Sequence, residues 1–126
     1  MDVNELMSSE DYTKNYDIQD ISANKTMGIL AYLGLLVLVP IFAARQSKFA
    51  MFHAEQGITL CICAHIVSLL AVFLGKIPAI GFVFSIVFGL VGLVLFLLMI
   101  IGIVNSVNGQ AKEIPVLGKI RLIKLQ

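Results

Sequence analysis

The sequence predicts an all-α integral membrane protein with three transmembrane helices and an interfacial start to the second, four spans being the alternative. Three observations carry this prediction. Apolar residues make up 59% of the 126 and charged residues 13%, roughly half the charged share of an average soluble domain. Mean hydropathy is +0.95, and a soluble chain of this size would have to expose large apolar patches, which soluble monomers rarely do. Three long stretches, 27–43, 57–75 and 81–104, carry no Asp, Glu, Lys or Arg.

Taken in order, residues 1–22 hold six of the eight acids: Asp2, Glu5, Glu10, Asp11, Asp17 and Asp20. With little apolar periodicity they are expected as an acidic mobile tail. No cleavable signal pattern precedes the first apolar stretch, which would act as its own targeting signal. Ser22, Asn24 and Thr26 are candidate helix caps. Stretch 27–43 is near the lower limit of about 17 residues for a span, with Pro40 expected in its last turn. Stretch 57–75 has near-ideal spanning length, and KIPAIG after it reads as a tight turn. From Ile77 to Val104 the chain is apolar for 28 residues. Two passes need about 40 residues, so one helix over 81–104 is expected, and a break at Gly89–Gly92 would give the fourth span. Gly109 is a candidate stop, leaving 110–126 as a basic amphipathic tail. In a three-span arrangement six bases share the C-terminal side and three the other, which predicts an external N-terminus and a cytoplasmic C-terminus.

Faces supply the candidate functional residues. In KFAMFHAEQG, helical phase puts Phe49, Phe52, His53 and Gln56 on one flank, as interfacial first turns of helix two. His53 and Gln56 are expected to meet the end of helix three at Asn105 or Asn108. Small residues recur at helical spacing in Gly57, Cys61 and Ser68, and again in Gly81, Ser85, Gly89 and Gly92. Such stripes let helices approach closely, so helices two and three are expected to pack along them, a homo-oligomeric seam being the alternative. Lys119, Arg121 and Lys124, interleaved with apolar residues, are expected at anionic headgroups.

Catalysis and cofactors find no support. Cys61, Cys63 and His65 spell C-x-C-x-H, but only Cys61 and His65 share a helical face, and zinc needs about four ligands. No metal or cofactor is expected. His65 is the only ionisable side chain in an expected span; without a charged partner there, a neutral, hydrogen-bonded imidazole is expected. No phosphate loop, H-E-x-x-H or defensible triad occurs, so no enzyme is expected. A net charge of +1 gives no field for nucleic acid. The expected partners are the lipid bilayer and other proteins or further copies of the chain.

Three stretches, NKTMGILAYLGLLVLVP, SKFAMFHAEQG and IIGIVNSVNGQAKEIPVLGKIRLI, resemble the small bacterial membrane proteins grouped as Tic-like, relatives of a chloroplast protein-import component. The shared features are F-x-x-H-A-x-Q, here Phe49 or Phe52 with His53, Ala54 and Gln56, and N-x-x-x-G followed by proline and glycine, here Asn105, Gly109, Pro115 and Gly118. The resemblance implies residence in the bacterial plasma membrane and a role as a component or accessory of a membrane complex, of the protein-translocation kind. A subunit of an oligomeric channel or transporter is the alternative.

Overall fold

Asp17 begins the first helix by accepting the Gln19 N–H on its carboxylate. In this computed structural model, which describes residue 4 and residues 8–126, four α-helices follow: α1 (Ile18–Leu30), α2 (Leu38–Ala43), α3 (Lys48–Leu74) and α4 (Gly81–Val107). Asp2 and Glu5 of the acidic segment lie outside the described residues. No strand occurs among the described residues beyond an isolated antiparallel bridge between Asp11 and Lys112.

Two helices, α3 and α4, are 27 residues each and apolar enough to cross a membrane. They form an antiparallel hairpin whose outward side chains, among them Leu69, Phe73, Phe82, Ile86, Leu90 and Leu93, stand exposed. A surface of that kind suits lipid rather than water. Helix α3 runs unbroken from the polar KFAMFHAEQ segment into the apolar one, and α4 passes through Gly89–Gly92 without interruption.

The expected span over 27–43 is not one helix, and the three-span arrangement fails there. Gly34 adopts φ +65°, a left-handed conformation that ends any helix arriving from α1. A 3₁₀ turn over Gly34–Val37 then leads into α2. Pro40 sits in the first turn of this short helix, where its missing N–H is not needed, rather than in the last turn of a span. The result is a hairpin that enters and leaves at one end of α3. At its base Asp20 meets Ser47, 2.5 Å apart; at its tip Ala31 lies against Gly57, about 14 Å along α3 from Lys48.

The same end gathers both flanks of the chain. Tyr12 N–H donates to Ala111 O at 2.8 Å, and Glu113 N–H to Glu10 O at 2.9 Å. Residues 10–16 are thus packed rather than free, with Tyr12 and Tyr16 edge-on to Phe52. An odd number of spans would separate these segments by a bilayer. Residues 10–13 and 111–113 therefore lie at the same end of the long hairpin.

The two tight turns share one construction. In Ile77–Gly81 and in Ile114–Gly118 a proline precedes a residue at positive φ, Ala79 at 71° and Val116 at 69°. The next residue donates its N–H to the proline carbonyl, and the closing glycine donates to the isoleucine carbonyl.

Close helix approach occurs where the hairpin docks. A Cβ on Gly57 would stand 1.8 Å from the Ala31 carbonyl oxygen, whereas at Gly89 and Gly92 it would meet nothing within 4 Å. Gly57→Ala is therefore expected to lower stability by about 1–3 kcal/mol through overpacking. Gly89→Ala is expected to be neutral or to gain up to about 1 kcal/mol from helix propensity. Thermal unfolding of both variants in mild detergent checks the contrast; equal effects would refute the packing scheme.

Candidate functional site

The first three turns of α3 carry a polar face that the rest of the helix lacks. Ser47 caps them, accepting the Ala50 N–H at 3.0 Å while donating its hydroxyl to Asp20. The second oxygen of Asp20 accepts the Phe49 N–H at 3.0 Å, so a carboxylate sits where the helix dipole favours negative charge. Beyond the cap, His53, Glu55, Gln56 and Thr59 are all at most 2% exposed. Buried polar groups must find partners, and the C-terminal segment supplies them.

Gln110 offers its carbonyl to His53 Nε2 at 2.9 Å, and the Tyr32 hydroxyl lies 2.6 Å from Nδ1. A carbonyl only accepts, so Nε2 holds the proton and Nδ1 accepts from tyrosine, which uses both ring nitrogens of a neutral imidazole. Gln56 grips the tail twice: its amide donates to Gly118 O at 3.0 Å and its oxygen accepts the Ile114 N–H at 3.2 Å. Thr59 accepts the Leu122 N–H at 3.3 Å. From α4, Asn105 donates to Lys112 O at 3.2 Å, and Ser106 donates to Lys25 O at 2.8 Å.

Charges close the clasp. Glu55 accepts from the Gln126 amide at 2.8 Å, with Arg121 at 3.9 Å. Glu113 faces Lys119 at 3.1 Å and Arg121 at 3.7 Å. The Arg121 guanidinium stacks 5.3 Å over the Phe52 ring. Lys119, held by Glu113 and Glu10, keeps its proton above the usual lysine range. Glu10 titrates below its ordinary value because the Tyr12 hydroxyl and then Lys119 bond to it. Asp11 does so because the Thr13 hydroxyl and then its backbone N–H bond to it.

Phe49, Phe52, His53 and Gln56 are brought together inside the protein core, each at most 1% exposed. His53 and Asn105 do not bond each other; they hold neighbouring carbonyls of the same segment, those of Gln110 and Lys112. Gly109, at φ +68°, turns the chain out of α4, and Pro115 opens the turn that carries Gly118. Lys119 and Arg121, expected at headgroups, are spent on internal ion pairs; Lys124 stays exposed. Sequence reasoning missed Glu55 and Glu113. Their signal was that they are the only two acids outside residues 1–22.

The small-residue stripe does not zip α3 to α4. Cys61, Ser68, Ser85, Gly89 and Gly92 line an open groove of about 470 Å³ along the two helices. Gly81 instead packs against the Gly75 backbone at the turn. His65 stands exposed at this groove, with Nδ1 2.8 Å from the Cys61 carbonyl of its own helix. No group of three His, Cys, Asp or Glu suited to a metal occurs among the described residues.

Residues 23–123 match the model of the magnetosome magnetite crystal formation protein family, the MamF and MmsF proteins. The magnetosome protein MamF of Magnetospirillum gryphiswaldense is 29% identical over 90 residues, 71% of this chain and 75% of the relative. MmsF of Paramagnetospirillum magneticum is 29% identical over 91 residues, 72% of this chain and 78% of the relative. A UPF0132 membrane protein of Methanocaldococcus jannaschii is 30% identical over 95 residues, 74% of this chain and 64% of the relative. No solved structure matches the chain. The chain belongs to the magnetosome magnetite crystal formation protein family. This overturns the Tic-like assignment, since all three stretches that carried it fall inside the matched region.

Gln56→Leu strands the Gly118 carbonyl and the Ile114 N–H, each at about 1–3 kcal/mol. It is expected to free residues 110–126 for proteolysis while α3 and α4 remain protected, which limited digestion in detergent would reveal. Acid should act on the segment of residues 10–16. Glu10 and Asp11 have folded values below their ordinary 4.5 and 3.8, so their stabilisation is present above those values and lost as pH falls through the lower folded ones. Amide exchange at Tyr12 and Glu113 is expected to rise below about pH 4. The raised Lys119 acts in the opposite sense, its contribution persisting below 10.5 and failing only above it.

Proposed function

We propose that this member of the magnetosome magnetite crystal formation protein family is a non-catalytic, two-span membrane protein with a re-entrant hairpin. Its clasped polar cap lies on the cytoplasmic side and is the part that protein partners meet. The observation that carries this is the meeting of residues 10–25 with residues 105–126 at one end of the long hairpin. Charge supports the orientation. Of the nine lysines and arginines eight lie at the cap end, and Lys76 alone lies at the other, the asymmetry of a positive-inside protein. The re-entrant hairpin is held on the long helices by the Ala31 backbone against Gly57 and by Tyr32 against Gly102, and the exposed side chains of its tip, Leu33, Leu35 and Leu36, are apolar. Charged side chains of both signs, Asp11, Lys14, Asp17, Lys25, Lys48 and Lys124, stand exposed on the cap, where they suit a protein contact.

Single cysteines at Lys14, Gln46, Lys76 and Lys112, with Cys61 and Cys63 replaced by Ala, test the arrangement in intact cells. Membrane-impermeant thiol reagent is expected to label only position 76. Labelling at 14 with protection at 112 would restore an odd number of spans and sink the proposal.

A second reading, service in a membrane compartment that grows a mineral, is favoured by the family description. Expression in Paramagnetospirillum magneticum lacking its MmsF, followed by electron microscopy of the crystals, tests it. Restored crystal formation supports the reading, and unaltered mutant crystals despite normal membrane insertion count against it.

A further inference from the structure

The C-terminal segment is folded with charges inward and apolar side chains outward. Lys119 faces Glu113, and Arg121 faces both Glu113 and Glu55, whereas Ile120, Leu122 and Ile123 are each at least 40% exposed. Thr59 holds this orientation by accepting the Leu122 N–H. The N–H groups of Arg121, Ile123 and Lys124 make no hydrogen bond among the described residues. The same segment forms one wall of an open bowl of about 680 Å³. Lys48 and Lys124 line it, exposed and without an ion pair among the described residues. Its acids, Glu55 and Glu113, are 2% and 3% exposed and already face Arg121. An apolar strip, unused donors and a surplus of positive charge therefore adjoin.

The place of this seat along α3 matches a bilayer boundary, on the two-span reading proposed above, on which the inference rests. At 27 residues α3 is about 40 Å long, which exceeds a hydrocarbon core of about 30 Å by about 10 Å. The far end closes in a turn whose only charge is Lys76, so the surplus falls at the cap end and covers Lys48 to Glu55. Gly118 and Leu122 are bonded to Gln56 and Thr59, so the strip lies within about one helical turn of that boundary. Phosphates, ester carbonyls and the tops of acyl chains meet at this depth. They offer negative charge for the two lysines, acceptors for the free N–H groups and a cover for the strip.

We propose that this seat binds an anionic phospholipid of the cap-side leaflet, its phosphate between Lys48 and Lys124 and one acyl chain along Ile120, Leu122 and Ile123. Lys119 and Arg121 keep their internal partners; they turn the strip outward and do not touch the lipid. A zwitterionic phospholipid would cover the strip equally but brings no net charge to the two lysines. A free phosphate ion would meet the lysines and leave the strip bare.

The test uses the full chain in nanodiscs of equal phosphatidylglycerol and phosphatidylcholine, with retained lipid read by native mass spectrometry. The wild type is expected to retain phosphatidylglycerol about tenfold over phosphatidylcholine, the equivalent of about 1.4 kcal/mol. Lys48→Gln with Lys124→Gln is expected to cut that preference to about twofold or less, at about 1 kcal/mol per base, with the thermal unfolding temperature unchanged. Lys14→Gln with Lys25→Gln, an equal change of charge elsewhere on the cap, is expected to leave it intact. Leu122→Ser with Ile123→Ser, both exposed, is expected to lower retention of either lipid at least about threefold. Equal loss from the two lysine pairs would mean diffuse attraction and overturn the seat. So would release of phosphatidylglycerol by inorganic phosphate, or retention indifferent to the strip. Orientation is read separately by the thiol labelling in cells, so failure here with that labelling as expected counts against the lipid seat alone.

Discussion

The structure depends on one constraint: the first three turns of α3 bury His53, Glu55, Gln56 and Thr59 on a helix whose remainder is built for lipid. A helix satisfies its own backbone but not these side chains, and polar groups left unbonded at a membrane boundary are expensive. The chain resolves this by returning to the same place twice. The C-terminal segment lays its backbone along the polar face, and the N-terminal residues lay theirs along the C-terminal segment. The bonds run mostly from side chains on helices to carbonyls and amides on loops, so they fix where the loops lie without specifying the loop side chains.

The hairpin of α1 and α2 is the third party to this arrangement. Gly28 admits Ser106 and His53, Gly57 admits the Ala31 backbone, and Gly102 admits the Tyr32 ring. Each glycine lies on a different helix, and each contact involves the hairpin. Tyr32 then reaches His53 and joins the apolar tip to the polar clasp. Removing the hairpin would open both the packing of α3 on α4 and the hydrogen bonding of the cap. The one cap serves helix ends, tails and hairpin together.

Much of this was legible in the sequence and some was not, for identifiable reasons. The two long apolar helices followed from length and composition alone. The continuity of Lys48–Gln56 with the apolar run followed from helical phase. The broken span did not, because Met27–Ala43 is apolar throughout and only tertiary packing gives Gly34 its left-handed turn and Pro40 its place in a first turn. The stripe through Gly89 and Gly92 misled because a small side chain can serve close approach or leave space, and spacing does not distinguish them. Lys119 and Arg121 read as headgroup ligands because the acids that neutralise them, Glu55 and Glu113, are remote or unremarked in sequence. The Tic-like resemblance rested on His53, Gln56, Asn105 and Gly118, residues whose common work is holding the clasp. A pattern of that kind speaks for a way of folding more than for a task.

The clasp has a consequence for how the protein meets membranes of different thickness. One end of both long helices is pinned by the cap, so in a thinner or thicker bilayer the adjustment would fall on the far end, at residues 75–80. There the turn holds a single charge, Lys76, on a long flexible stem that can reach water from a short distance inside the hydrocarbon. Mismatch would be absorbed on one leaflet only.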